Sequence, residues 1–226
     1  MTLKSKKGAP PAAAGPAGAE FEVKVGSSYL LAMLADAPAR GLPGSVIEQV
    51  SFQQGDDGYP MDDIIVAART SAGEIATLEI QAKRSITFAP KDAVFRKVMA
   101  QVANSVKTEE FWKRDAQLAI ATPQTSRQIS GPYQEVLSWA RKTDSEKSFF
   151  ARLNRQGTAS DDMRSFVSTF REHLSTFGAD HKNYDVWRLL RRFQILIFDF
   201  SNKGGAEEYW SKKSAIARGH FGLRQS

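Results

Sequence analysis

The tightest constraint on this chain is a pair of strand-like segments joined by a turn. Residues 63–68 read Asp63-Ile64-Ile65-Val66-Ala67-Ala68, the β-branched and apolar composition of a buried strand. Residues 77–83 alternate, with Leu78, Ile80 and Ala82 on one side and Thr77, Glu79, Gln81 and Lys83 on the other. Between them stands Thr70-Ser71-Ala72-Gly73-Glu74. A three-residue loop at Ser71-Ala72-Gly73, with Gly73 left-handed, is a common hairpin connection. It pairs Thr70 with Glu74 and, counted outward, sets Asp63 opposite Gln81 on the face that carries Glu79 and Lys83. A two-residue turn at Ala72-Gly73 would bring Asp62 there instead, because a one-residue slip moves every side chain to the other face. The three-residue loop, and with it Asp63, is the expected solution.

Carboxylates, an amide and a lysine on one sheet face suit a divalent cation and a phosphate. Magnesium takes carboxylate oxygens, keeps several waters and shares phosphate oxygens with a substrate. A bound ion acidifies a water and screens charge at a phosphodiester. Lys83 is then placed to hold that water or to stabilise developing charge, and Gln81 to orient the water or a phosphate oxygen. Taken alone, alternating charges on a strand are more often a solvated sheet face, so the surrounding pattern carries the weight.

That pattern resembles the PD-(D/E)xK nuclease superfamily, whose core runs helix, three strands, helix, strand. Asp63 matches the Asp at the start of the second strand, Glu79 and Lys83 match the third-strand pair, and Gln81 matches the Gln-x-Lys variant. Upstream, Phe21-Glu22 resembles the opening of the first helix in Mrr-like members, where the Glu assists the metal site. The resemblance implies catalytic roles for Glu22, Asp63, Glu79, Gln81 and Lys83, and metal positions at Asp63, Glu79 and Ile80, with magnesium or manganese as the ion. Pro60 is followed by Met61 and two aspartates, a departure that leaves Asp62 and Asp63 both open as the ligand. The match covers residues 21–122 and is similar above all to double-stranded-DNA endonuclease domains of bacterial anti-phage systems. Those are fused to NACHT- or STAND-type NTPases or to nucleotide-sensing domains. Expected from the resemblance are a double-stranded-DNA substrate, a homo-oligomer and a fused or partner sensor. A nuclease-like fold that only binds DNA or protein is the rival reading, and a module whose strands merely alternate is a second.

The remaining segments predict an α/β fold, for which the resemblance implies a restriction-endonuclease-like core with a mixed central sheet flanked by helices. Residues 46–52 read as the first strand, with Glu48 a surface residue. Residues 53–60 are turn chemistry. Asp92 is a helix N-cap ahead of Phe95, Val98, Met99, Val102 and Val106 at helical spacing, and residues 116–122 form a fourth strand. Helical patterns follow over 133–142, 146–154, 161–177 and 186–193, and 194–200 reads as one more strand. The expected layout is a disordered tail at 1–18 and a nuclease domain at 19–202. Within it the core spans 19–125, a helical elaboration 126–193 and an extra strand 194–200. A C-terminal helix and a linker occupy 203–226, where the chain ends without a stop signal, as if cut from a longer protein.

Composition narrows the partners. Lys and Arg number 31 against 25 Asp and Glu, a formal net charge of +6 that suits a polyanion. Lys83, Arg84, Arg96 and Lys97 are the expected DNA-backbone contacts, and no base-reading motif accompanies them. The absence of cysteine excludes disulfides and thiolate metal sites and accords with a cytoplasmic location. No apolar run reaches membrane-spanning length, and Pro10, Pro11, Gly15 and Pro16 interrupt the Ala-rich N-terminus in a way a signal peptide does not. The tryptophans Trp112, Trp139, Trp187 and Trp210 are read as packing residues.

Overall fold

A computed structural model describes residues 16–55, 58–123 and 126–200. The central hairpin joins β2 (Ile64–Thr70) to β3 (Ile75–Ala82). Gly73 sits at φ 86°; its N–H donates to Thr70 O at 2.9 Å, and Thr70 N–H donates to Glu74 O at 2.9 Å. This is the three-residue loop. Only glycine takes that backbone conformation without strain. The register runs from Ile64↔Ile80 to Arg69↔Ile75, which places Asp63 opposite Gln81.

Around the hairpin the sheet has the order β1-β2-β3-β4-β5. β1 (Ser45–Phe52) pairs antiparallel with β2, with a bulge at Ile47/Gln49 beside Glu48. Glu48 is surface-exposed and ion-paired with Arg69. β4 (Asp115–Thr122) runs parallel to β3, and β5 (Phe193–Ile197) parallel to β4. The crossover from β3 to β4 is made by α2 (Ala93–Val106) and the short α3 (Glu109–Lys113). Asp92 caps α2 as expected, its carboxylate accepting from Phe95 N–H at 2.6 Å. The crossover from β4 to β5 contains a π-helical turn (Ile129–Tyr133), α4 (Gln134–Lys142), α5 (Glu146–Asn154), α6 (Asp161–Thr176) and α7 (Asn183–Arg192). The helical elaboration is thus one long connection between the last two strands.

Side-chain alternation divides the core between the two sheet faces. On one face, α1 (Pro16–Leu34) lays Phe21, Val25, Tyr29 and Ala32 on Ile64, Val66, Leu78, Ile80 and Ala119. On the other, Leu118, Ile120, Phe193 and Ile195 meet Phe95, Val102, Val136, Phe149, Phe170 and Leu190 from the later helices. Each such large apolar side chain contributes roughly 1.5–3 kcal/mol on burial.

Boundaries shift in three places. α1 begins at Pro16, so residues 16–18 are helical and not part of a tail; proline fits a first turn, whose N–H groups have no helical partner. The helix expected from residue 133 begins instead as a π-helical turn around Pro132, which lacks an N–H. The last strand stops at Ile197, short of the expected 200. Trp139 and Trp187 are buried and Trp112 packs against the same core. Residues 1–15, Trp210 and the expected 203–226 helix lie outside the described residues. No described helix is long and apolar enough to cross a membrane.

Candidate active site

Because β2 and β3 are antiparallel, the start of one and the end of the other meet at the same end of the sheet. The ladder closes at Ile64↔Ile80, and the Asp63 side chain takes the next N–H of β3. Asp63 Oδ2 accepts from Ala82 N–H at 2.8 Å and from Lys83 Nζ at 2.8 Å. Beside it, Gln81 Nε2 donates to Asp62 Oδ1 at 3.1 Å. The Asp63 and Lys83 side chains retain 19% and 26% of their exposure, so solvent and ligand reach the pair.

The chain leaving β1 holds both aspartates in place. Gln53 N–H donates to Asp63 O at 3.3 Å and Gln54 N–H to Asp62 O at 3.2 Å. Gly55 allows this approach, since a Cβ there would lie 2.6 Å from Asp62 Oδ2. From the α1 side, Glu22 shares a hydrogen bond with Gln53. Its carboxyl is pushed up, first by burial and then by the negative charges of Asp63 and Asp62, against the opposing pull of Gln53 and Lys83. Glu22, Asp62, Asp63, Gln81 and Lys83 therefore form one electrostatic cluster.

Two expected site positions fall outside it. Glu79 lies one alternation deeper in β3, opposite Ile65, and its side chain is fully buried. Its Oε1 accepts from the Arg114 guanidinium at 3.3 Å, and its Oε2 has no partner among the described residues. Burial pushes this carboxyl up to about 7, with Arg114 as the opposing charge. The alternation put Glu79 on the expected face, but that stretch of the face is covered, so Glu79 is not where an exchangeable ion and its waters would sit. Ile80 is opposite Ile64 inside the ladder, and its side chain is wholly in the core against α1. Arg84, Arg96 and Lys97 are exposed, Arg84 following Lys83 in the chain and the other two near the start of α2.

Among the described residues no three His, Cys, Asp or Glu side chains converge as a ready-made metal cage. The donor set nevertheless fits magnesium, which is commonly held by one or two carboxylates with water and substrate oxygens completing its shell. Glu22 and Asp63 supply two carboxylates, and their mutual repulsion is what a cation would relieve. Lys83, already seated on Asp63, shows that a positive charge is accommodated there. Gly55 carried a signal within its turn, whereas nothing in the sequence pattern tied Arg114 to Glu79. Comparison with known proteins returns no matching family model, no similar curated protein and no similar solved structure.

Proposed function

We propose that this chain is a metal-dependent endonuclease acting on double-stranded DNA, built on a restriction-endonuclease-like core of the PD-(D/E)xK type. The observation that supports it most is the Lys83 ammonium seated 2.8 Å from the Asp63 carboxylate, next to Gln81 and Glu22 at the accessible end of the sheet. Glu22 and Asp63 would hold a magnesium or manganese ion, which when bound supplies an acidified water and screens charge on the phosphate. Lys83 would turn from Asp63 toward the phosphate oxygens and stabilise the charge that grows as the water attacks phosphorus and the P–O bond to the leaving oxygen breaks. Gln81 orients the water or a phosphate oxygen through its amide. Arg84, Arg96 and Lys97 neutralise backbone phosphates, which yields binding with little sequence preference. Glu79 and Ile80 are left out of this machinery.

In the biological setting inferred from the family resemblance, the protein is a cytoplasmic anti-phage effector kept quiet until a sensor, fused or separate, clusters several copies. Cutting both strands calls for two such sites. Cleavage should then rise more than proportionally with protein concentration. The deciding experiment is plasmid cleavage with magnesium or manganese, with and without EDTA, on wild type and Lys83→Ala. Cleavage that needs the metal and disappears in a folded Lys83→Ala protein supports the reading; cleavage undiminished by EDTA, or by the substitution, sinks it. The rival reading is a nuclease-like fold that only binds DNA or protein. It predicts DNA binding with no cleavage under either metal.

A further inference from the structure

Glu79 has no part in the proposed chemistry, yet it is a fully buried acid in the middle of the central strand. Such a group calls for a physical explanation, because an ionised carboxyl loses several kcal/mol of hydration when buried. Its contact with Arg114 is a single 3.3 Å bond, and among the described residues Glu79 Oε2 and Arg114 Nε are both buried without partners. A pair made this loosely is poor at stabilising a fold, and apolar residues of the same volume would do that at least as well. The geometry around it suggests a different use. Arg114 lies against the Tyr59 ring, its guanidinium carbon 5.1 Å from the centroid. The root of Arg114 is itself held, since its carbonyl accepts from Arg192 at 3.0 Å.

Tyr59 belongs to the connection that delivers the aspartates. Its N–H donates to Gln54 O at 3.4 Å, and Gln54 N–H in turn donates to Asp62 O. Two residues after Tyr59 the chain is anchored again by Met61, which is completely buried. α1 covers the opposite face of β2 and β3. On the face carrying Glu79 and Ile65, the Arg114 side chain reaches Glu79 on one side and the Tyr59 ring on the other. The stack Glu79–Arg114–Tyr59 therefore joins the middle of β3 and the start of β4 to the segment that ends in Asp62-Asp63.

Resting on the nuclease reading above, we propose that Glu79, Arg114 and Tyr59 form a brace that sets the position of Asp63 against Lys83, which makes Glu79 a positioning residue. The carboxylate fixes the guanidinium, the guanidinium fixes the ring through a cation–π contact, and the ring fixes the connection. Its removal leaves the metal-binding and basic groups in the chain but loosens the geometry in which they meet, and misplacement by about 1 Å is enough to cost on the order of 100-fold in rate.

The test joins kinetics to amide hydrogen exchange on the full chain. Ala82 N–H reports the Asp63 carboxylate directly, and Gln54 N–H reports the connection. In Glu79→Leu and in Arg114→Met, exchange at both amides should speed up about tenfold or more while β4 amides keep their protection. Turnover should fall by roughly tenfold or more, with KM within about twofold, as expected when an interaction of the transition state alone is weakened. Tyr59→Phe keeps the ring and Glu79→Gln keeps an acceptor for Arg114, so both should retain turnover within about threefold. Arg114→Lys serves in place of Arg114→Met if that protein fails to fold. Unchanged exchange at Ala82 and Gln54 in both disruptive variants overturns the brace. So does a Glu79→Gln protein as inactive as Lys83→Ala, which would mark Glu79 as a metal ligand. If the wild type does not cut DNA, the nuclease reading fails, while the exchange data still decide whether the brace exists.

Discussion

At the scale of single residues, neighbouring acids in one strand pair have opposite fates. Asp63 receives two donors, from Ala82 and Lys83, whereas Asp62 receives one from Gln81. Asp63→Asn should therefore lower cleavage by about 100-fold or more, and Asp62→Asn by about tenfold or less, measured as turnover on plasmid DNA. The reverse ranking would assign the metal to Asp62. Glu79 makes a separate prediction about stability. Its carboxyl is near 7 when folded and returns to about 4.5 when exposed. Between those values the folded chain holds a proton that the unfolded chain has released, so stability falls as pH rises through that window and the loss is complete above 7. The size is of order 3 kcal/mol. Glu79→Gln cannot make this loss. Urea unfolding should find the variant close to wild type at pH 5 and more stable at pH 8; a difference that is flat with pH would contradict a raised carboxyl.

At the scale of elements, the most legible parts were those specified by near neighbours. The hairpin follows from Gly73 at the one position that needs φ > 0, and its register carries Asp63 to Gln81. α2 follows from Asp92 and the spacing of Phe95, Val98, Met99 and Val102, all fully buried. Asp92→Ala removes an acceptor from Phe95 N–H and should cost about 1 kcal/mol in urea unfolding, with no change in which strands pair. β5 shows what local pattern leaves out. Its place at the sheet edge depends on side-chain donors from elsewhere, with Arg40, Gln134 and Arg141 donating to the carbonyls of Ile197, Ile195 and Phe193. These occupy backbone acceptors that an edge strand otherwise offers to another chain.

At the scale of the whole molecule, charge and topology act together. The net charge of +6 is a property of composition, but exposure decides which cations reach a duplex. Arg84, Arg96 and Lys97 are exposed, whereas Arg192 is spent on the carbonyls of Phe111, Trp112 and Arg114. Binding to duplex DNA should weaken steeply with salt, and replacing Arg96 and Lys97 by alanine should lower the log–log slope by about two if each meets one phosphate. Filter or anisotropy titrations at several salt concentrations measure it; an unchanged slope would remove α2 from the DNA interface.

The sequence by itself determined the hairpin, the order of the strands through β4 with α1 and α2 though not α3, and the meeting of Asp63, Gln81 and Lys83. Each of these rests on a spacing of two or of about 3.6 residues, or on one turn, and such short-range rules are written in consecutive residues. Only the tertiary structure decided the fate of Glu79, because the arginine paired with it comes from 35 positions later and no periodicity connects the two. Glu22, expected from the resemblance of Phe21-Glu22, reaches the site because α1 packs across the sheet. Alternation tells which face a side chain takes; whether that face is open to a cation or sealed by a distant arginine is a matter of packing.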